Sequence, residues 1–224
     1  MAFNKFPHWR FNIKTLIQCD FDGTITVDDI SYGMLDEYAD KSWRLWADKY
    51  HRGEINVGEF NARVFSLVKE DRETLVAYTR RHAQLRPGFP QLLDFCKQKD
   101  IKFVVVSNGL DFYIELVLGD LGLKIKTYAG QTEFGRDGII VRYIGPDGKE
   151  MKAGFKEAYT RLYISRGYRI IYVGNGISDI PAAKLSYRVF AREDLLERGT
   201  AAKLKCIPFD DMNDVIKGLS DINQ

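Results

Sequence analysis

The stretch TLIQCDFDGT, residues 15–24, begins with a short, mostly apolar run and continues directly into two carboxylates, Asp20 and Asp22. A short run of this kind, followed later by helical patterns, is typical of a buried parallel strand. Ligands of open α/β sheets bind just beyond the carboxyl ends of such strands. Asp20 and Asp22 are therefore expected at the ligand-binding edge of a sheet.

Two further apolar runs end in the same way. Ile101–Val106 is followed by Ser107-Asn108-Gly109, and Ile170–Val173 is followed by Gly174–Asp179. Because parallel strands end at a common edge, the polar clusters should converge in space although they lie far apart in the sequence. The alternation of strands and helices predicts an α/β fold with a Rossmann-like parallel sheet and right-handed crossovers.

The segment after the first strand has a different pattern. From about Asp29 to Ala83 the apolar residues recur at helical spacing, and no strand is evident. Three amphipathic stripes are marked by Leu35, Tyr38, Trp43 and Trp46, by Phe60, Val64, Phe65 and Val68, and by Leu75, Val76 and Tyr78. We expect a helical cap domain at residues 28–84, inserted into a core formed by residues 12–27 and 85–224.

The remaining patterns fit the same core. The turn-forming residues Gly135–Gly138 lie between two apolar runs and predict a β-hairpin. Helices are predicted after Arg86-Pro87-Gly88, over residues 111–121 and 154–166, and from Ser178 onward, with a further strand over residues 187–191.

The composition is that of a globular protein: 224 residues, 45% hydrophobic and 29% charged, with a formal net charge of +2. This charge is too small to indicate a nucleic-acid partner, and a membrane-spanning run of about 20 apolar residues is absent. Residues 1–12 lack the apolar centre of a signal peptide, and the three cysteines form no C-x-x-C pair. The sequence predicts a cytoplasmic protein without nucleic-acid or membrane partners, and it leaves the oligomeric state open.

The residues after the first strand favour metal chemistry. Carboxylates as close as Asp20 and Asp22 repel each other unless a cation or a proton lies between them, and hard oxygen ligands suit Mg²⁺. Gly23 allows a close approach of ligand or backbone, and Thr24 is expected to orient Asp22 by a hydrogen bond. The alternative is a calcium-like loop or a plain surface turn.

The other clusters supply groups that bind phosphate. Ser107 follows a strand and precedes a helix, where hydroxyl and N–H groups form an anion site, although Ser-Asn-Gly is also an ordinary turn. Lys156 lies in the helix before the third strand; it competes with Lys149 and Lys152, and a lone lysine is usually solvated. The run Gly174–Asp179 adds oxygen ligands after that strand.

Together these clusters resemble the four motifs of the haloacid dehalogenase-like phosphohydrolases, in the family's order and over nearly the whole chain. The match places D-x-D-x-T at Asp20–Thr24, the strand-end serine at Ser107, the motif lysine at Lys156 and the last motif at Gly174–Asp179. The helical insertion is similar to the small cap of the phosphoserine phosphatase branch.

The resemblance implies a Mg²⁺-dependent phosphomonoesterase that acts on a small phosphorylated metabolite. Asp20 would be the nucleophile that forms an aspartyl-phosphate, and Asp22 the general acid and base. The resemblance implies that phosphate is bound by Ser107, Thr24, Asn108 and Gly109 and that Lys156 balances the charge. Mg²⁺ would be bound by Asp20, the main-chain carbonyl of Asp22 and Asn175. Asp179 would orient the lysine or a metal-bound water.

Within that branch the chain is most similar to methionine-salvage phosphatases, which hydrolyse 2-hydroxy-3-keto-5-methylthiopentenyl 1-phosphate. The similarity lies in Asp20–Thr26, in Ser107–Phe112, and in Ser178-Asp179 with Ala182–Lys184. Phosphoserine phosphatases carry a glutamate where this chain has Asp29, and that glutamate binds the ammonium group of the substrate. Asp29 is a shorter carboxylate that can still bind an ammonium group, so phosphoserine is the alternative substrate. Asp29 and Arg63 are implied to face the substrate, although Arg63 is equally typical of a solvated helix position.

Asn175 departs from the family pattern, which normally has an anionic ligand there. An asparagine supplies an oxygen without charge, so the affinity for a hard cation should fall. The chain is then either an enzyme with a weakly bound metal or a low-activity relative that binds a phosphorylated ligand as a sensor or partner. Retention of the other motif residues favours the enzyme.

Overall fold

The computed structural model describes residues 14–220, and their centre is a sheet of eight strands. In chain order these are β1 Thr15–Cys19, β2 Lys102–Leu110, β3 Lys126–Gly135, β4 Gly138–Ile144, β5 Glu150–Met151, β6 Arg169–Gly174, β7 Arg188–Ala191 and β8 Cys206–Pro208. They lie side by side in the order β5-β4-β3-β2-β1-β6-β7-β8. The strands from β3 to β8 in this order are parallel, whereas β4 and β5 pair antiparallel at one edge. The prediction of an α/β fold with a mostly parallel sheet is confirmed.

β1 lies between β2 and β6, and all three end at one edge of the sheet. Cys19 pairs with Val105 on β2 and with Val173 on β6. Asp20 continues this alignment, because its N–H donates to the carbonyl of Val173 at 2.9 Å. The polar clusters that follow the apolar runs therefore converge, as their positions at strand ends predict.

β2 is longer than the sequence predicts. The apolar run ends at Val106, but the strand continues to Leu110. Its pairing with β3 shifts register between Val106 and Leu110, so Ser107-Asn108-Gly109 lies in an irregular, extended stretch at the end of the strand.

The helices among the described residues are α1 Ile30–Tyr38, α2 Trp43–His51, α3 Val57–Phe65, α4 Arg72–His82, α5 Phe89–Gln98, α6 Asp111–Asp120, α7 Phe155–Ser165, α8 Ile180–Ala183, α9 Glu193–Ala201 and α10 Met212–Ser220. A 3₁₀ turn, Ile177–Asp179, precedes α8. The first predicted stripe divides between α1 and α2, because Ala39 is extended and the side chain of Asp40 accepts from the N–H of Ser42 at 2.9 Å. β5, β8, α9 and α10 have no counterpart in the sequence prediction.

The helices α1 to α4 occupy the segment between β1 and α5, where the sequence predicts a helical insertion. The chain enters and leaves this segment side by side: the N–H of Val27 donates to the carbonyl of Gln84 at 2.8 Å, and Thr26 forms an antiparallel bridge with Leu85. Residues 1–13 and 221–224, which include both ends of the predicted core, lie outside the described residues.

A buried arginine fixes the loop that follows β1. Arg86, directly after the insertion, is 5% exposed. Its guanidinium group donates to main-chain carbonyls of that loop, namely those of Gly23, Thr24, Thr26 and Val27. These bonds satisfy carbonyls that would otherwise be unpaired and hold the loop in a closed turn.

The central strands are buried along most of their length, as strands covered on both faces are. In residues 14–220 no helix has both the length and the apolar character that crossing a membrane requires. Buried polar side chains are the exception in this apolar core, and several of them lie just after β1 or at the end of β2.

Candidate active site

The loop after β1 places two carboxylates at the end of the sheet. Asp20 and Asp22 are both buried. Gly23 follows them with φ +67°, and a Cβ atom there would lie 2.4 Å from Nδ2 of Asn175. Glycine is therefore required here both by the backbone conformation and by the close approach of the loop after β6.

Lys156, on α7, joins two predicted site residues in a buried ion cluster. Its Nζ lies 2.7 Å from Oδ2 of Asp20 and 2.6 Å from Oδ1 of Asp179. Burial opposes the charge of Lys156, but the two carboxylates outweigh it and hold the pKa of this lysine above its ordinary value. The competitors Lys149 and Lys152 are exposed, so Lys156 is the lysine that the fold brings to this site.

Asp20 has one carboxylate oxygen without a hydrogen-bond partner among the described residues. Burial, assisted by the charge of Asp179, raises the pKa of Asp20 to about 6 against the opposing effect of Lys156. Oδ2 is paired with Lys156, whereas Oδ1 is buried and has no hydrogen-bond partner within residues 14–220. A buried carboxylate oxygen is unfavourable without a partner, so Oδ1 is placed to meet a ligand or a cation.

Asp22 is held by hydrogen bonds that the sequence does not predict. Its Oδ2 accepts from the hydroxyl of Tyr113 at 2.5 Å, and its Oδ1 accepts from the N–H of Ile30 at 3.1 Å. Ser31 lies 2.7 Å from the same Tyr113 hydroxyl and can donate to it. Burial, assisted by the charge of Asp29, raises the pKa of Asp22 above its ordinary value, which is the direction that suits a proton donor.

Thr24 does not orient Asp22, contrary to the sequence prediction. Its hydroxyl donates to Oδ1 of Asn175 at 2.9 Å. The turn that begins at Gly23 directs Thr24 away from the carboxylates and toward the loop after β6. Thr24 is fully buried and does not line the cavity at the site.

Tyr113→Phe should weaken turnover of substrates with poor leaving groups about tenfold, and turnover of p-nitrophenyl phosphate less. The substitution removes the hydroxyl that positions Asp22, and proton donation matters most when the leaving alkoxide is basic. The measurement is kcat for an alkyl phosphate and for p-nitrophenyl phosphate. Tyr163→Phe is the matched control, because Tyr163 is equally buried and its hydroxyl contacts Tyr128 instead. Equal losses on both substrates would assign Tyr113 a purely structural role.

The end of β2 forms a tight polar turn beside Asp22. Ser107 is 1% exposed, and its Oγ accepts from the N–H of Gly109 at 3.0 Å. A Cβ atom at Gly109 would lie 2.3 Å from Oδ2 of Asp22, so a larger residue would displace the carboxylate. The side-chain oxygen Oδ1 of Asn108 is buried and has no partner among the described residues. This turn therefore presents a hydroxyl and an unpaired amide oxygen next to the carboxylates.

A cavity of about 340 Å³ opens above these groups. Its floor contains the predicted site residues Asp20, Asp22, Ser107, Asn108, Gly109, Lys156 and Asn175. Its roof comes from the helical insertion and includes the predicted residue Asp29 together with Tyr32, Tyr50, Phe60 and Asn61. Asp179 lies behind Lys156, where it is completely buried. The fold thus assembles residues from widely separated parts of the sequence around one cavity.

Arg63 is placed away from this cavity. Its guanidinium group pairs with Glu59 at 3.1 Å and lies 4.3 Å from the ring centroid of Trp46. The buried side of α3 consists of Phe60, Asn61, Val64 and Phe65, so Arg63 falls on the outer side of the helix. The structure therefore favours the solvated-helix interpretation of Arg63 over contact with a substrate.

Asn61 is a site residue that the sequence interpretation missed. It is 6% exposed, and its side-chain N–H₂ donates to the carbonyl of Asn108 at 2.8 Å and to the hydroxyl of Tyr143 at 2.5 Å. The signal was an amide at a core position of the second amphipathic stripe, one residue after Phe60. This side chain connects the insertion directly to the turn at the end of β2.

The oxygen groups fit a hard divalent cation. The unpartnered Oδ1 of Asp20 and the amide oxygen of Asn175 are donors of the kind that Mg²⁺ prefers. Within residues 14–220 no three His, Cys, Asp or Glu side chains are grouped as a closed metal site. That arrangement suits Mg²⁺, which is commonly held by one or two carboxylates together with substrate phosphate and water.

Comparisons with known proteins identify the family. Residues 17–184 match the model of the haloacid dehalogenase-like hydrolases. The chain belongs to this family, and the prediction that it is a phosphatase is confirmed.

Its relatives include the bifunctional enzyme MtnB/MtnX of Bacillus licheniformis, which is 31% identical over 90% of this chain; the chain spans 48% of that longer protein. The 2-hydroxy-3-keto-5-methylthiopentenyl-1-phosphate phosphatase of Bacillus velezensis is 28% identical over 93% of this chain and 91% of its own length. The corresponding phosphatase of Brevibacillus brevis is 26% identical over 94% of this chain and 97% of its own length.

Solved structures show the same fold at lower identity. A phospho-aspartyl intermediate analogue of a phosphoserine phosphatase superposes with a TM-score of 0.68 and 20% identity, covering 91% of this chain and 98% of that one. The phosphoserine phosphatase of T. onnurineus gives a TM-score of 0.69 at 16% identity, covering 92% of this chain and 94% of the other.

Proposed function

We propose that this protein is a Mg²⁺-dependent phosphomonoesterase that acts on a small acyclic phosphorylated metabolite through an aspartyl-phosphate. The observation that carries the proposal is the carboxylate of Asp20, which lies at the floor of the cavity with Oδ2 on Lys156 and Oδ1 unpartnered among the described residues. A buried, oriented and charge-balanced carboxylate is suited to attack phosphorus.

The proposed roles follow from the contacts of each residue. Asp20 attacks phosphorus, and Lys156 offsets the negative charge of nucleophile and phosphate. Asp22, with its raised pKa, protonates the leaving oxygen and then accepts a proton from the attacking water. Ser107 and the main-chain N–H groups beside it hold the phosphate oxygens. Mg²⁺, held by Asp20, the main-chain carbonyl of Asp22 and Asn175, would supply further charge neutralisation.

The helical insertion is proposed to act as a cap. Its boundaries at residues 28–84, against a core of residues 12–27 and 85–224, are supported by the paired chain crossing at Thr26 and Leu85. Such a cap excludes water from the phosphate and contacts the part of the substrate that leaves.

The composition of the roof favours a substrate without a carboxylate in its tail. Tyr50 and Phe60 are stacked with ring centroids 5.3 Å apart, and Tyr32 packs edge-on against Phe60. Among the described residues that line the cavity, Lys156 is the only lysine or arginine, and it is already paired with two carboxylates. His51 is the other basic side chain among the described lining residues, so a carboxylate such as that of phosphoserine finds no free lysine or arginine there.

We therefore propose 2-hydroxy-3-keto-5-methylthiopentenyl 1-phosphate, the substrate named for the relatives from Bacillus velezensis and Brevibacillus brevis, as the metabolite. Its methylthio tail is apolar and would suit the aromatic roof. On this proposal the protein acts in methionine salvage, and we propose that it does so in the cytoplasm. Phosphoserine is the second candidate, since the acidic residues Asp28 and Asp29 line the roof and suit an ammonium group.

Asp29→Asn separates the two substrates. Asp29 caps α1 by accepting from the N–H of Tyr32 at 2.9 Å, and asparagine caps helices about as well. We expect kcat/KM for an enol-phosphate analogue to change only a few-fold. For phosphoserine, the transition state should lose about 2–5 kcal/mol of stabilisation, because the ammonium loses its partner. Efficient phosphoserine hydrolysis that collapses in the variant would assign the protein to phosphoserine.

The enzyme and the phosphate-binding relative are separated by a simple assay. The enzyme should hydrolyse p-nitrophenyl phosphate in a Mg²⁺-dependent manner and should release p-nitrophenol in a burst when dephosphorylation limits the rate. A panel of phosphorylated metabolites then identifies the substrate. Binding of a phosphorylated ligand without turnover at any Mg²⁺ concentration would assign the protein to the binding class.

A further inference from the structure

We infer that Glu193 is a positioning residue of the cation site and supplies beside Asn175 the negative charge that this asparagine lacks. The inference rests on the proposed Mg²⁺-dependent function and concerns a residue outside the predicted motifs. Oε2 of Glu193 accepts from Nδ2 of Asn175 at 2.9 Å. Glu193 lies at the start of α9 and lines the same cavity as Asp20.

The contact, together with the hydroxyl of Thr24, fixes the orientation of the Asn175 amide. A carboxylate only accepts hydrogen bonds, so Glu193 fixes the N–H₂ group of Asn175 toward itself. The opposite end, Oδ1, accepts from the hydroxyl of Thr24 at 2.9 Å. An amide oxygen has two lone pairs, and one of them stays available for a cation. Without Glu193 the amide could reverse and present its N–H₂ group, which repels a cation.

The backbone ties Glu193 to this position. Glu193 has φ +47°, a left-handed conformation that residues other than glycine adopt at an energetic cost. The segment is anchored to the end of β6, since the N–H of Leu195 donates to the carbonyl of Asn175 at 2.8 Å. Nε of Arg192 lies 3.3 Å from Oε1 of Glu193, which leaves Oε2 of Glu193 for the amide of Asn175. The strained turn thus holds a carboxylate over the loop that carries Asn175.

A second observation points to a cation in the same cavity. Oδ1 of Asp20 is buried without a partner within residues 14–220, although Asp20 already bonds Lys156 through Oδ2. A family member with a carboxylate in place of Asn175 would bring two charged ligands to the cation. In this chain Asp20 would be the charged ligand, and Glu193 would add its negative charge through its hydrogen bond to Asn175. Its side chain is 53% exposed, so its effect is screened but not abolished.

Glu193→Gln tests the inference in the full-length protein. We expect the dissociation constant for Mg²⁺ to rise about tenfold, as is usual when a hydrogen-bond partner of a metal ligand is removed. Affinity is measured without turnover, by calorimetry and by the Mg²⁺-dependent shift of the unfolding temperature. Glu197→Gln is the matched control, because Glu197 is exposed on the same helix and does not line the cavity. The control should bind Mg²⁺ like the wild type.

A charge exchange distinguishes positioning from general stability. Asn175→Asp alone would place two carboxylates at the 2.9 Å contact, so we expect little gain in Mg²⁺ affinity. Asn175→Asp with Glu193→Gln moves the charge inward and should bind Mg²⁺ at least as tightly as the wild type. An unchanged dissociation constant in Glu193→Gln, or a double variant as weak as Glu193→Gln, would overturn the inference and leave the proposed function intact. A wild type that neither binds Mg²⁺ nor responds to it in catalysis would overturn both.

Discussion

Asp20→Asn should reduce phosphatase activity at least about a thousandfold while leaving the protein folded. The amide is nearly isosteric with the carboxylate but is a poor nucleophile, and removing a covalent nucleophile eliminates the two-step route. The measurement is kcat for p-nitrophenyl phosphate and for the identified metabolite at saturating Mg²⁺. A variant that keeps more than about a tenth of the wild-type rate would show that another group attacks phosphorus.

The fold and the covalent step are checked separately for this variant. Asp94→Asn is the matched control, because Asp94 is an exposed aspartate on α5 that does not line the cavity. Its rate should equal that of the wild type. Rapid acid quenching of the wild type with labelled substrate should trap an acid-stable, base-labile phosphate on the protein. The same experiment with Asp20→Asn should trap none, and label retained by the variant would exclude Asp20 as its attachment point.

Much of this site could be predicted because its residues follow strongly patterned strands. An apolar run that stops at polar residues locates a strand, so the sequence identifies Asp20 and Ser107 together with the sheet, although β2 continues past Ser107 to Leu110. Lys156 required the family resemblance, since nothing in a helical pattern distinguishes a buried lysine from the exposed Lys152. The structure separates them by the contact of Lys156 with two carboxylates.

The missed contacts depend on what each helix face meets, which the sequence pattern does not identify. Arg63 and Asn61 are two positions apart on α3 and therefore lie on opposite faces, and the structure shows that Asn61 is the one buried against the turn after β2. Tyr113 appears in the sequence as an ordinary core aromatic, and only the packing of α6 brings its hydroxyl to Asp22. Glu193 lies beyond the last predicted motif, and its role depends on a backbone turn that composition does not indicate.

The contacts of Lys156 lead to the second large effect, which concerns stability as well as activity. Lys156→Met should lower the free energy of unfolding by about 3–5 kcal/mol, because two buried carboxylates lose the cation between them. Activity should also fall steeply, since the charge of Asp20 and phosphate is no longer offset. Urea unfolding at neutral pH without Mg²⁺ measures the first effect, and kcat measures the second.

Lys156→Met with Asp179→Asn shows whether charge is the cause of the instability. If uncompensated carboxylates destabilise the single variant, the double variant should recover part of the lost free energy, because one buried charge is removed with its partner. Methionine fills a similar volume, so a cavity contributes little. Lys152→Met, an exposed lysine four residues earlier, should be neutral in both assays. A loss in the double variant equal to the sum of both single losses would show that Lys156 and Asp179 are not coupled through their charges, and it would contradict charge as the cause of the instability.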